Sequence, residues 1–350
     1  MQKRFLLSVV LAAGAMLGSA VQAQDLPKTQ LKIVGGLSNL SAYQEYEVPF
    51  WTKTVPELSK GQITAEIKGF NEMGLKGPEL LRLMTQGVVP FGTATMSYFA
   101  SDNPVNEAID LAGLAPDAAT ARKITDAYMP TYAQFYSGTA NVKLLGISTY
   151  PAQVLFCNAE ITGLESIKGK KVRTSSRTQA EFVEALGGTS VTMAFGEVVP
   201  AMQNKVVDCA ITGSLSGYSA KWYEVATHLY ALPINWNQQI HAVSNKVWTG
   251  LDPKVQKFVE TNIKTMIDSI WDSAAKQTQQ GYDCNTGAAA CTLAVKGKMK
   301  LVTPTDADRA LLKKVLNEQV LPKWASRTRD TYVTAWNKDV GPIIGVTAVK

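Results

Sequence analysis

Residues 193–217 read MAFGEVVPAMQNKVVDCAITGSLSG, and residues 79–97 read ELLRLMTQGVVPFGTATMS. Each stretch has an apolar helical run that ends at a polar residue or a glycine, then a Val-Val pair, then a short strand that opens into small hydroxyl residues. The two copies stand about 118 positions apart. A helix–strand unit that occurs twice predicts two lobes of similar build.

The chain around each copy alternates strands with helices. In the first half, apolar or alternating runs predict strands at 29–38, 62–70 and 88–96, with helices between them. The pattern restarts after an extended stretch at 143–158, which is long enough to leave one lobe and enter another. Repeated β-α-β units of this spacing favour a parallel-rich sheet covered by helices, so the predicted fold class is α/β.

The longest helical pattern covers residues 251–283. Its apolar residues recur at three- and four-residue steps, and Asp252 followed by Pro253 is typical of a helix start. At 1.5 Å per residue such a helix spans about 45 Å, which is enough to lie across two lobes. A second capped helix is predicted at 303–327.

The N-terminal residues predict export. A basic start, a short apolar run and the small residues before Gln24 are typical of a signal peptide that is cleaved near Ala23. Cleavage removes Lys3 and Arg4 and lowers the formal charge from +6 to +4. The remaining charge is spread along the chain, so no nucleic-acid partner is predicted.

These features divide the chain into four predicted parts. They are the signal peptide at 1–23, lobe 1 with the spanning helix at 24–150 plus roughly 238–283, lobe 2 at 151–237, and a C-terminal region packing on the lobes at 284–350.

The exported chain has four cysteines. Cys284 and Cys291 bracket a loop-like NTGAAA stretch, so we predict a local disulfide there, with modest stabilisation because the loop it closes is short. Cys157 and Cys209 each lie in a strand-like apolar run; buried free thiols are favoured for them, and a bridge between them is the alternative. No metal site is predicted, because the chain has no CxxC motif and few histidines.

Enzyme signatures are absent from the sequence. No phosphate loop, GxGxxG or HExxH motif occurs, and GSLSG at 213–217 places Leu215 where a nucleophilic serine would stand. The sequence therefore predicts no catalytic residue and no cofactor. A secreted enzyme that acts on a small carboxylate and uses Glu72 or Glu197 as a base is the alternative.

Four segments in fixed order resemble the DctP-type solute-binding proteins of tripartite ATP-independent periplasmic (TRAP) transporters. They are GLESIKGKKVR (163–173), ALGGTSVTMAFGEVVPAMQNKVVD (185–208), LPINWNQQIHAVSNKVW (232–248) and LDPKVQKFV (251–259). The resemblance covers essentially the whole mature chain. It implies a two-lobed clamshell with an interlobe cleft for an organic acid, and a long helix that braces both lobes.

The resemblance also implies a role and a location. A monomeric receptor in the periplasm would deliver its ligand to the permease subunits of a TRAP transporter. An accessory binding protein of a sensor kinase would have the same fold and ligand, and the sequence does not separate the two roles.

The resemblance also implies a carboxylate anchor. The arginine of the family's GxKxR motif, Arg173 here, would form a salt bridge with the ligand carboxylate, for which a guanidinium offers a bidentate fork. Thr212 stands where relatives carry an asparagine, and Ser214 follows it. Gln153 stands where sialic-acid-binding members carry a second arginine, which argues against sialic acid and dicarboxylates and favours a monocarboxylate.

Further cleft residues are predicted from strand ends and aromatic positions, because ligands of α/β sheets bind beyond the carboxyl ends of the strands. Phe195 matches an aromatic residue that lines the cleft in relatives, with core packing as its alternative. Trp236 would stack on a flat ligand body or pack in the hinge. An apolar wall that includes Met96 hints at an aromatic or 2-oxo acid. The first lobe contributes Asn71, Glu72, Thr95, Met96 and Tyr98.

Overall fold

The computed structural model describes residues 26–350, and the predicted signal peptide lies outside the described residues. Within that range the chain forms eleven strands in two sheets. The strands are β1 (Thr29–Gly35), β2 (Ile63–Gly69), β3 (Phe91–Thr95), β4 (Val142–Ser148), β5 (Gln153–Cys157), β6 (Lys171–Thr174), β7 (Thr189–Thr192), β8 (Cys209–Gly213), β9 (His228–Asn235), β10 (Gln239–Ser244) and β11 (Lys300–Val302).

The two sheets have the same core topology. The first has the order β2-β1-β3-β10-β4, and the second has the order β11-β9-β5-β8-β6-β7. In the first, β3 pairs parallel with β1 and antiparallel with β10. In the second, β8 pairs parallel with β6 and antiparallel with β5. The predicted α/β fold with two lobes is confirmed, and the chain crosses between the sheets after β4 and returns after β9.

Helices and helical turns cover both sheets. They are Ala42–Glu47, Phe50–Thr54, Val55–Leu58, Phe70–Met73, Leu80–Thr85, Met96–Phe99, Pro104–Glu107, Ala118–Gly138, Leu164–Ile167, Arg177–Ala185, Phe195–Glu197, Val198–Gln203, Ser214–Ser219, Trp222–Glu224, Asn245–Trp248, Pro253–Thr286, Asp306–Val315, Leu316–Val320, Leu321–Arg327, Asp330–Asp339 and Gly341–Ile344. In the part of the chain described here, none of these helices is long and apolar enough to cross a membrane.

The repeated unit keeps its spacing in three dimensions. The first copy consists of helix Leu80–Thr85 and β3, and the second consists of helix Val198–Gln203 and β8. Met84 and Met202, on the inner faces of the two helices, are fully buried. Every residue of β3 and β8 is buried, as expected for central strands that are covered on both faces. The repeat in the sequence is therefore a repeat of structure.

The long helix Pro253–Thr286 braces both lobes. Asp252 caps it by accepting a hydrogen bond from the backbone N–H of Lys254. On the first-lobe side, Trp271 Nε1 donates to the carbonyl of Ile147 at 2.9 Å. On the second-lobe side, Ser214 Oγ donates to the carbonyl of Thr278, also at 2.9 Å. Anchors at both lobes confirm the predicted bracing role.

Both cysteine pairs form disulfides. Cys284 and Cys291 are joined at the end of the long helix, as the sequence predicts. Cys157 and Cys209 are also joined, so the preferred sequence interpretation of two buried free thiols was wrong. They stand directly opposite each other on β5 and β8, with Cα atoms 4.0 Å apart, and this short separation makes the bridge possible.

The C-terminal helices connect the lobes through one arginine. Arg327 ends helix Leu321–Arg327, and its guanidinium pairs with Glu107 from the first-lobe segment and with Glu181 from helix Arg177–Ala185. Glu107 is almost completely buried, with 1% of its side chain exposed. Arg327 therefore compensates a buried carboxylate and links the two lobes at the same point.

Candidate functional site

A small cavity of about 20 Å³ lies between the two lobes. That volume is about the space of one water molecule. Six of its residues come from the first lobe and the crossovers, namely Leu37, Leu40, Thr95, Tyr98, Tyr150 and Asn237. Six others come from the second lobe, namely Gln153, Arg173, Ser175, Phe195, Thr212 and Ser216. The carboxyl ends of β3, β6 and β8 thus meet at one cavity, as the fold requires of a ligand site.

Arg173 is the charged group of this cavity. It is the next-to-last residue of β6 and is only 2% exposed. Its Nε and Nη2 donate to the carbonyl of Met193 at 3.2 and 3.0 Å, and its Nη1 donates to the carbonyl of Ile211 at 2.8 Å. A guanidinium has five N–H groups, so two remain without an acceptor among residues 26–350. Burial lowers the pKa of Arg173 to about 10, which leaves it charged at neutral pH.

No carboxylate of residues 26–350 forms an ion pair with Arg173, and Glu197 acts on its charge only from a distance. The ion pairs among the described residues do not include Arg173. A buried charge without a counter-ion is unfavourable, because the low-dielectric surroundings replace its hydration. The backbone carbonyls hold the guanidinium in place and orient it, and they do not neutralise it. The arrangement is suited to an anion.

The second-lobe wall beside Arg173 is polar and closely packed. A Cβ on Gly213 would lie 2.6 Å from Ser216 Oγ and 3.2 Å from Gln153 Nε2, so only glycine fits between these groups. Gln153 Nε2 donates to the carbonyl of Pro151. Thr212 is 5% exposed and lines the same wall. Neutral hydrogen-bonding groups therefore surround the single cation.

The first-lobe wall is aromatic and phenolic. Burial raises the pKa of both Tyr98 and Tyr150, so both phenols stay protonated and neutral. Tyr98 packs edge-on against Phe70, with ring centroids 6.4 Å apart. Across the cavity Phe195 stacks on Trp222 at 5.6 Å, which fixes the ring at the second-lobe wall. A ligand body between the lobes would meet rings on both sides.

Six of the sequence-predicted residues line the cavity. Thr95 and Tyr98 come from the first lobe, and Gln153, Arg173, Phe195 and Thr212 come from the second. Thr95, Gln153, Arg173 and Thr212 lie at or next to a strand end, whereas Tyr98 and Phe195 lie in helical turns that follow strands.

The other five predicted residues lie outside the cavity lining and have structural partners. Asn71 Oδ1 accepts from the backbone N–H of Ser38, and Glu72 accepts from that of Gly69. Met96 is 1% exposed in the core. Ser214 Oγ donates to a backbone carbonyl of the long helix. Trp236 Nε1 donates to the carbonyl of Ala115.

Several lining residues were not predicted from the sequence. Leu37 and Leu40 follow β1, and Ser175 follows β6, so the strand-end rule could have found them. Tyr150 and Asn237 lie on the two crossovers between the sheets. The crossover segments could have indicated these two residues, because a segment that passes between two lobes borders the space between them.

The return crossover is held by one buried carboxylate. Asp110 accepts from the backbone N–H groups of Trp236 and Asn237 and from Asn235 Nδ2, at 2.8 to 2.9 Å. Asn235 Oδ1 in turn accepts from Gln179 Nε2 in the second lobe at 2.9 Å. This network fixes the return crossover, and it gives Trp236 a structural position.

The sequence profile described as bacterial extracellular solute-binding protein, family 7 (DctP), matches residues 38–326. The chain belongs to this family. The match covers most of the chain, and it confirms the resemblance carried by the GxKxR and EVxxAMQ segments.

Solved DctP-family structures share the fold. A receptor from Bordetella pertussis that binds pyroglutamic acid is 21% identical, with a TM-score of 0.79 over 90% of this chain and 99% of that one. A Desulfovibrio salexigens protein with bound orotic acid is 16% identical, with a TM-score of 0.79 over 90% and 99%. A Shewanella oneidensis protein with bound succinate is 18% identical, with a TM-score of 0.76 over 90% and 99%.

The DctP family and these neighbours are solute receptors, so the prediction of a binding protein rather than an enzyme is confirmed. Within residues 26–350, no group of three or more His, Cys, Asp or Glu residues could hold a metal ion. His241 is buried in β10 between the hydroxyls of Thr93 and Ser148, and burial lowers its pKa to about 3, so it stays neutral.

The DctP-family chain also has a larger groove of about 380 Å³ away from the cleft. Leu114, Leu232 and Leu312 are among its lining residues. The cations at this groove, Arg309 and Lys313, are exposed to solvent. This groove is larger than the interlobe cavity, but the buried charge without an ion-pair partner lies in the smaller interlobe cavity.

Proposed function

We propose that this chain is the periplasmic receptor of a TRAP transporter and binds a small monocarboxylate through Arg173. The observation that carries the proposal is the buried guanidinium, which has two free N–H groups and no counter-ion among the described residues. A ligand carboxylate would supply the missing charge and accept both N–H groups as a bidentate pair. Orotic acid and pyroglutamic acid, named for two of the structural neighbours, are small monocarboxylates, whereas succinate, named for a third, is a dicarboxylate.

The cavity chemistry supports one carboxylate rather than two. Arg173 is the single cationic residue among the described residues that line the cavity. A second ligand carboxylate would be buried against phenols, hydroxyls and amides, and it would lose hydration without gaining a charge partner. Phe195 and Tyr98 supply ring surfaces for the body of the ligand, which suits an aromatic or 2-oxo acid.

Entry of the ligand requires the lobes to separate. A cavity of about 20 Å³ holds roughly one water molecule, whereas an organic acid has several times that volume. We infer that the lobes open around the two crossovers and close on the ligand, as in other two-lobed receptors. The lobe boundaries near residues 151 and 237 are part of this proposal.

The biological setting follows from the same proposal. The chain would be exported with cleavage near Ala23, would act as a monomer in the periplasm, and would deliver its acid to the permease subunits of the transporter. No cofactor is required, because binding and release involve no covalent step.

The test compares Arg173→Met with wild type in a thermal-shift screen of monocarboxylates. A ligand at 100 times its Kd stabilises the wild type by about 2.7 kcal/mol, which is readily measured. Loss of one partner of a buried charge pair costs about 2 to 5 kcal/mol of binding free energy, so the variant should bind at least about 30-fold more weakly.

The matched control is Arg177→Met. Arg177 is the same residue type four positions later, and it is exposed. Its replacement should leave the affinity unchanged. Because Arg173 also holds two backbone carbonyls, circular dichroism and the Tm of the ligand-free variant establish that it is folded. An undiminished shift in a folded Arg173→Met protein would contradict the proposal.

A further inference from the structure

Three buried polar side chains converge behind the first-lobe wall of the cavity. Glu47 comes from helix Ala42–Glu47, Tyr150 from the first crossover and Gln239 from β10. A Cβ on Gly36 would lie 2.9 Å from Glu47 Oε1, 3.5 Å from Gln239 Oε1 and 3.6 Å from Tyr150 Oη. Three segments that are distant in the sequence therefore place polar atoms around one point.

Among these groups, the Gln239 amide is not satisfied by the protein. Neither the oxygen nor the nitrogen of the Gln239 amide has a hydrogen-bond partner among residues 26–350, although Gln239 is fully buried. Glu47, also fully buried, accepts from the backbone N–H of Gly36 at 3.2 and 3.3 Å and has the hydroxyl of Thr93 as its other hydrogen-bonding neighbour. Buried polar groups are normally paired, because an unpaired one costs about 1–3 kcal/mol.

The position of this cluster connects it to the ligand site. Tyr150 lines the cavity itself, and Gly36 directly precedes Leu37, which also lines it. Gly36 does not have a positive φ, so its backbone does not require glycine. What Gly36 provides is the absence of a side chain at the point where the three polar groups meet.

We infer that Glu47, Gln239 and Tyr150 form a second subsite that recognises an N–H donor beside an acceptor, as in a lactam or an amide. Glu47 would accept the ligand N–H, while the Gln239 amide and the Tyr150 hydroxyl would donate to the neighbouring carbonyl. The inference rests on the proposed function, in which Arg173 holds the carboxylate at the opposite wall. It narrows the ligand to a monocarboxylic acid that carries an amide or lactam group.

Isothermal titration calorimetry with a matched pair of acids tests the inference. The pair is pyroglutamate and 5-oxotetrahydrofuran-2-carboxylate, in which a ring oxygen replaces the lactam N–H. The wild type should bind the lactam at least tenfold more tightly than the lactone. Glu47→Gln and Tyr150→Phe should reduce that ratio to below threefold. The control Glu45→Gln, on the same helix but exposed, should retain the full ratio.

The outcomes separate this inference from the proposed function. Equal affinity of the wild type for both acids, or an unchanged ratio in both subsite variants, overturns the inference. Undiminished binding of either acid by folded Arg173→Met contradicts the proposed function instead. If the wild type binds neither acid, mass spectrometry of the acid that co-purifies with it decides the matter, and an acid without an N–H group overturns the inference. Circular dichroism shows whether each variant is folded.

Discussion

The two copies of the repeated unit have the same backbone and different chemistry. In both, a helix ends in a residue with positive φ, the first valine of the following pair is exposed and the second is buried, and a central strand begins. The residue with positive φ is Gly87 in the first lobe and Lys205 in the second. The second lobe adds a buried cation and a disulfide, whereas the first lobe presents phenols and a buried carboxyl group.

Two lobes with the same backbone therefore present different side chains to the space between them. The common part is what the sheet needs, namely an apolar strand and a covering helix. The parts that differ lie at strand ends, where the packing of the core does not dictate the side chain. A ligand between the lobes would therefore meet a charged wall on one side and a neutral, acceptor-rich wall on the other.

Removal of the second-lobe disulfide tests the largest of these differences. Cys157→Ala with Cys209→Ala should lower the free energy of unfolding by about 4 kcal/mol, because the bridge closes a loop with a sequence separation of 52. Urea unfolding measures this loss. The control, Cys284→Ala with Cys291→Ala, opens a separation of only 7 and should cost about 2 kcal/mol. Equal losses would mean that the second-lobe disulfide stabilises the protein no more than the short disulfide Cys284–Cys291 does.

Replacement of Arg327 tests whether the two lobes depend on one cation. Arg327→Gln leaves Glu107 buried without a positive partner, so stability should fall by about 3 kcal/mol. Thermal unfolding measures the change. The exposed neighbour Arg329 offers a control, since Arg329→Gln should change stability by no more than about 0.5 kcal/mol. Similar effects of both substitutions would contradict the role of Arg327.

Part of the pH dependence of stability should come from Glu47, and the buried Glu107 and Asp110, whose pKa values burial also raises to about 7, should add to it. Burial raises the pKa of Glu47 to about 7, above the value near 4.5 that it has when unfolded. The folded state therefore binds this proton more tightly, and the stability it contributes is full below pH 4.5 and is lost as the pH rises to 7. Glu47→Gln should flatten that part of the Tm–pH profile by an amount equivalent to no more than about 3 kcal/mol.

A comparison across the cleft sharpens this prediction. Arg173, with a pKa lowered to about 10, does not titrate in the same window. The Tm–pH slope of Arg173→Met between pH 4.5 and 7 should therefore equal that of the wild type. If the slope vanishes in Arg173→Met and persists unchanged in Glu47→Gln, the group that titrates between pH 4.5 and 7 belongs to the second-lobe wall and not to the first.

The smallest effect concerns the turn before each strand. Lys205 has a φ of 57°, a left-handed conformation that costs a residue with a side chain about 1 kcal/mol. Lys205→Gly should stabilise the protein by up to about 1 kcal/mol, and Gly87→Ala, at a φ of 77°, should destabilise it by a similar amount. Chemical denaturation of both variants measures these shifts. The same sign for both would show that the two turns are not equivalent.

Much of the fold could be predicted from the sequence because the responsible signals are local. Apolar periodicity placed the strands and the long helix, and Asp252-Pro253 marked the start of that helix. The GxKxR segment pointed to Arg173. The repeated helix–strand unit indicated two lobes, because a unit that buries one face in each copy needs a sheet in each.

The tertiary structure alone decided which side chains meet. The pairing register of β5 with β8 brings Cys157 opposite Cys209, and no local pattern carries that register. In the same way, the convergence of Glu47, Tyr150 and Gln239 depends on three segments whose approach is set by packing. The sequence by itself thus determined the elements, the duplication and the family, since those depend on local periodicity and motif order. Only the folded chain determined the cavity lining and the polar cluster around Gln239, because both depend on distances between residues far apart in the chain.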